Sequence, residues 1–167
     1  MQEHERTLRR WLQAHGPDDW HQVAMDWNWD AGIDILAWIA AQPDCDRATA
    51  QHLIIGCGPH YYLRFPNRGA VLVDAPYSIE PFDLLFRTAE RWNSGFYARS
   101  QIATSEPDDL RREEREYRLA EAEYGSPAWR LDAGVFRPLQ GRELSYRYAE
   151  GWPPDVAAEL KARGVAF

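Results

Sequence analysis

Apolar residues recur along most of this chain at the three- and four-residue spacing of helices that bury one face. Leu8, Trp11 and Leu12 mark a first helix over about residues 3 to 15, stopped by Gly16-Pro17. Trp20, Val23, Ala24 and Trp27 fall at i, i+3, i+4 and i+7 in a second helix. Pro17 suits its first turn, and Asp18 and Asp19 are favourable at its positive end. Residues Ile33 to Ala41 are apolar nearly all round, which predicts the central, most buried helix, with Asp30 as its N-cap and Gln42-Pro43 as its stop. Asp46 then caps a fourth helix carrying Ala48, Ala50, Leu53, Ile54 and Ile55, terminated by Gly56 and Gly58.

Residues 59 to 79 follow no single period: Tyr61-Tyr62-Leu63 reads as the extension of a turn, and Val71-Leu72-Val73 as a short strand or buried loop. Phe82, Leu85, Phe86, Ala89 and Trp92 define a fifth helix, entered at Ser78 and Pro81 and closed by Ser94-Gly95. Ser105, with Asp108 three residues on, has the form of a capping box opening a charged helix to about Glu123. Beyond Gly125 the helical period breaks. Leu144, Tyr146 and Tyr148 alternate as a half-buried strand would, and Pro153-Pro154-Asp155 starts a short last helix ending at Gly164. The expected fold is mainly α, a single-domain bundle of about six to seven helices over residues 1–167, with at most a minor short β element after residue 125.

A chain of 167 residues is long enough to bury roughly 70% of its unfolded surface, so it needs no staple. Its two cysteines, Cys45 and Cys57, lie about 16–18 Å apart if the residues between them are helical, too far for a disulfide, and read as buried free thiols. No apolar run approaches the ~20 residues of a membrane helix, and Arg9-Arg10 leads into no export segment; the expectation is a soluble, cytoplasmic protein. The net charge of −7 is unevenly placed. Residues 16 to 60 hold Asp18, Asp19, Asp26, Asp30, Asp34, Asp44 and Asp46 against Arg47 alone. Such a face repels nucleic-acid phosphates and anionic lipid and attracts basic partners, although several of these aspartates also serve as helix caps.

Catalytic chemistry is harder to find. Cys45, His52, Cys57 and His60 are zinc-type ligands, but an intervening helix keeps Cys45 too far from Cys57 for one ion, so no metal is assigned. Asp26, Asp30 and Asp34 recur every four residues beside tryptophans, a weakly specific arrangement for sugar chemistry. Nucleophile elbows, phosphate loops and dinucleotide fingerprints are absent. The enzymatic alternative is a small hydrolase using His21 with Asp26 or Asp30, which requires those side chains to converge in an open pocket. No cofactor is implied. Eighteen arginines against one lysine are more simply explained by codon usage than by interface chemistry.

The ordered anchors Trp20-His21, Asn28-Trp29-Asp30-Ala31-Gly32, Trp38-Ile39 and Pro43-Asp44-Cys45-Asp46-Arg47-Ala48-Thr49-Ala50 resemble a small bacterial family described as domain of unknown function 4274. Pro59-His60-Tyr61-Tyr62-Leu63 and Ser94-Gly95-Phe96-Tyr97 extend the likeness, giving a family-like core over residues 16–110 and a C-terminal extension over 125–167. The resemblance carries no catalytic residue. It implies a stand-alone protein of the kind found as immunity partners of secreted or contact-delivered toxins. On that reading the chain is a non-enzymatic binding protein that occludes a basic toxin. Asp18, Asp19, Asp26 and Asp34 would supply long-range attraction, and an exposed member of the pair Trp27 and Trp29 would be a contact anchor. Dimerisation through spare tryptophans stays open.

Overall fold

The computed structural model describes residues 3–125 and 129–167, which form a single all-α domain. In chain order the helices are α1 (Glu3–Gln13), α2 (Pro17–Asp26), α3 (Asp34–Ala40), α4 (Arg47–Gly56), α5 (Pro59–Tyr62), α6 (Arg68–Asp74), α7 (Ile79–Asn93), α8 (Pro107–Tyr124) and α9 (Pro154–Ala162). Asp46 opens α4 as its position predicts, its carboxylate accepting from the Ala48 amide at 3.0 Å. The other carboxylate oxygen accepts from the Gln101 amide at 2.8 Å, which pins the α7–α8 connection to the start of α4.

The hub of the bundle is α4 rather than α3. Its Ala50, Leu53 and Ile54 are fully buried, and it packs against α2, α3, α7 and α8. α3 is shorter than the apolar run suggests because the chain turns before it. Asn28, not Asp30, is the cap here: its side chain accepts from the Asp30 amide at 3.1 Å and opens a 3-10 turn over Trp29–Ala31. Gly32, at φ +92, then breaks the path into α3 and leaves Asp30 exposed within the turn.

The buried indoles of Trp20 and Trp27 satisfy their N–H groups locally. Trp20 Nε1 donates to the Leu12 carbonyl at 2.8 Å, and its ring meets Trp38 edge-on at 5.6 Å. Trp27 Nε1 donates to the Gly32 carbonyl at 2.7 Å. At the ends of the chain, α1 and α9 are joined by Trp11 Nε1 donating to Asp155 at 2.7 Å and by Arg10 paired with Glu159 at 3.1 Å.

Three local expectations change. Residues 71–73 belong to helix α6, not to a strand, and only Val71 of that helix is buried. Glu106, not Ser105, occupies the position before α8, and no side chain caps it; Pro107 in the first turn sets the helix instead. After residue 125 no strand forms among the described residues, which contain only the isolated bridges Ile102–Arg142 and Ala149–Trp152. The alternation of Leu144, Tyr146 and Tyr148 is nonetheless real, since these three are half-buried and the residues between them exposed. Both tyrosines of this extended segment hydrogen-bond to Asp19 on α2 rather than to a neighbouring strand.

Candidate functional site

Most of the carboxylates assigned to attraction are already partnered within the chain. Asp18 pairs with Arg142 at 2.5 Å and with Arg99 at 3.7 Å, and the Arg142 hydrogen bond holds its carboxyl below the usual range. Asp19 accepts from the Tyr148 hydroxyl at 2.6 Å and the Tyr146 hydroxyl at 3.4 Å. Asp26 accepts from the Tyr148 amide at 2.6 Å, from the Gln22 side chain, and from Arg147 at 3.4 Å. The C-terminal segment therefore neutralises the acidic face of α2. Trp27 is withdrawn as well, buried with its ring 5.6 Å from that of Trp152, while Trp29 is half-buried with its six-membered ring against Gly56. Asp34 alone of this set is exposed and makes no ion pair among the described residues.

Asp34 opens onto a different surface, a shallow groove between α3 and α7 lined also by Ala37, Glu80, Asp83, Leu84, Arg87 and Arg91. Its volume is about 250 Å³. At one end, Arg68 of α6 makes a two-pronged pair with Asp83 at 2.6 and 2.7 Å, tying α6 to α7. The chain between these helices exposes its apolar residues: Leu72 is 51% exposed, Val73 79% and Tyr77 98%. Asp74 and Glu80 flank them, exposed and without an ion pair among the described residues. Periodicity missed this edge because outward-facing Leu72 and Val73 mimic the apolar run of a buried element.

The hydrolase constellation does not assemble. His21 is buried, with Nδ1 2.9 Å from the Thr49 hydroxyl, and burial together with nearby His52 pushes its pKa down to about 4. It lines a cavity of about 210 Å³ between α2, α4 and the start of α8, but Asp26 and Asp30 are not among the walls. His52, Met25, Ile55, Thr104, Glu106 and Asp109 are. Thr49, the hydroxyl beside His21, has no exposure and does not reach the cavity. No group of three or more His, Cys, Asp or Glu side chains among the described residues is placed to hold a metal ion. His60, from the rejected zinc set, instead pairs with buried Glu113 of α8 at 2.7 Å, and Cys45 and Cys57 are buried free thiols. No helix among the described residues is long and apolar enough to cross a membrane.

Comparison with known proteins bears on this arrangement in one respect. No match was found among curated proteins or among solved structures. The family match covers α2 to α7, and so includes Asp34, the groove and the Tyr77 edge; it stops short of α8 and the C-terminal segment. Residues 15–93 match the model of the family described as Domain of unknown function (DUF4274).

Proposed function

We propose that the protein is a non-enzymatic binding protein, an immunity protein that occludes a basic toxin, and that it docks through the α6–α7 edge. The observation carrying this reading is Tyr77, which stands 98% exposed beside exposed Leu72 and Val73. Tyrosine is a favoured interface anchor, presenting a large rigid ring and a hydroxyl at little entropic cost. Asp74 and Glu80 lie on this edge without an ion pair among the described residues, Asp34 lies across the adjoining groove that Arg87 and Arg91 also line, and Asp83 is answered by Arg68. An apolar centre with an acidic rim suits a partner that brings lysine or arginine around a hydrophobic pocket. The acidic, aromatic face expected on Trp27, Trp29 and the α2 aspartates is thereby moved to residues 72–80, with Asp34 retained.

The test is co-expression with the product of the directly adjacent gene, followed by co-purification. The intact chain should form a stable complex that blocks the partner's toxicity. Tyr77→Ala combined with Val73→Ser should abolish protection while the protein stays folded. Protection that survives this double change, or an adjacent product that neither binds nor harms the cell, would overturn the reading.

A further inference from the structure

The groove between α3 and α7 carries opposite charges at its two ends. Glu80, Leu84, Arg87 and Arg91 fall at i, i+4, i+7 and i+11, so they share the face of α7 that lines it. By helical rise Glu80 and Arg91 stand about 16 Å apart. On the other wall Asp34 begins α3, while the Ala40 carbonyl at the end of that helix accepts from Arg91 at 3.3 Å. Asp34 therefore lies at the far end of α3 from Arg91, and both acidic residues stand away from the guanidinium. Asp83, between the ends, is already paired with Arg68.

Neither end is answered from within the groove. Asp34, Glu80 and Arg87 are exposed, and none makes an ion pair among the described residues. Arg91 is half-buried and held in place by neutral groups: it donates to Ala40, its guanidinium carbon lies 5.6 Å from the centre of the Phe96 ring, and it too has no ion pair among the described residues. A guanidinium fixed in this way keeps further N–H groups for a carboxylate. Between the charged ends the lining is apolar and low, with Ala37 and Ala41 of α3 and Leu84 of α7. Such small side chains let a peptide backbone come close.

We propose that this groove seats an extended peptide segment of the protein partner, with a lysine or arginine toward Asp34 and Glu80 and a glutamate or aspartate four residues away toward Arg87 and Arg91. An extended chain advances about 3.3 Å per residue, so charges four residues apart are separated by about 13 Å, within side-chain reach of groups based about 16 Å apart. A wholly basic segment would meet the two arginines and a wholly acidic one the two carboxylates, so the placement of both signs sets specificity. The inference rests on the binding-protein reading and names the motif that the partner brings beside the Tyr77 edge.

The intact protein would be titrated with the blocked peptide acetyl-Lys-Ala-Ala-Ala-Glu-amide and with versions in which the lysine, the glutamate or both become glutamine. Amide shifts followed by NMR report where each binds. The charged peptide should saturate at millimolar concentration, shift residues within 33–41 and 80–91, and bind at least about fivefold more tightly than the version without charges. Arg87→Gln should reduce what the glutamate contributes, and Glu80→Gln what the lysine contributes; both side chains are exposed, so neither change threatens the fold. Equal binding of the uncharged peptide, shifts centred elsewhere, no saturable shift, or a charge preference unchanged in both variants would overturn the proposal. The peptides report on the groove without the partner. Peptide binding with no capture of the adjacent gene's product would defeat the docking reading, whereas capture through Tyr77 with no peptide binding would defeat the groove alone.

Discussion

The Tyr148 hydroxyl donates to the Asp19 carboxylate at 2.6 Å, linking residues 129 positions apart in the chain. The backbone amide of the same tyrosine donates to Asp26 at 2.6 Å, so a single residue of the C-terminal segment engages both ends of the acidic face of α2. Burial and the nearby Asp19 carboxylate push the Tyr148 phenol up, so it stays a donor across the physiological range. This contact turns the most acidic stretch of the sequence from a free surface into an internal seam.

Tyr148→Phe removes one hydrogen bond to a charged acceptor and leaves the ring in place. Stability should fall by about 1–2 kcal/mol in urea unfolding. A variant as stable as the parent would show that the segment rests on α2 by packing alone.

Gly151 lies at φ +79, and a Cβ added there would stand 2.7 Å from Trp27 Cε3, 3.0 Å from Trp27 Cα and 3.1 Å from the Val23 carbonyl oxygen. Two of these neighbours are backbone and cannot turn aside. Gly151→Ala should therefore destabilise by about 2 kcal/mol or more, combining a left-handed backbone with a clash. Thermal melting would reveal it, and an unchanged midpoint would contradict the close seating of this turn on Trp27.

The parts of this fold visible in the sequence were those fixed by neighbours in the chain. Asp46 capping α4, Pro17 in the first turn of α2 and the stripe of α7 all rest on contacts within a few residues. Asp30 does not cap α3, which starts after Ile33 with no side-chain cap; it lies instead inside the 3-10 turn that Asn28 opens. α6 was illegible because it buries Val71 and exposes Leu72 and Val73, so its apolar residues do not trace an inward face. The pairing of Asp18 with Arg142 and of Asp26 with Arg147 spans more than a hundred residues, and spacing carries no record of it. Of the residues proposed for docking, Asp34 is marked in the sequence by its place in the acidic run. Tyr77 was missed, since a lone aromatic beside a proline gives no period.

Folding stability should weaken on mild acidification. His21 has an ordinary pKa near 6.5 and is held down to about 4 by burial. The unfolded chain therefore takes up a proton that the folded chain refuses. Stability should be level above pH 6.5 and fall between pH 6.5 and about 4, by up to about 3 kcal/mol from this residue, with buried His52 acting in the same direction. Urea midpoints measured across that window should flatten in His21→Gln; an identical pH slope in the variant would remove His21 as a cause.

Arg142→Ala should release Asp18, raising its pKa toward 3.8, a change that NMR titration of the carboxyl carbon would follow. Because the pair is partly exposed, the stability loss should stay within about 1 kcal/mol. A pKa that does not move would mean that Arg142 is not what depresses it.

The docking edge is tested most directly by the salt dependence of affinity for the adjacent gene's product, measured for the parent chain and for the triple variant Asp34→Lys, Asp74→Lys, Glu80→Lys. The parent should bind more weakly as salt rises, and the variant should lose at least about a hundredfold in affinity at low salt together with most of that slope. An affinity and slope unchanged by reversing all three charges would contradict docking at this edge.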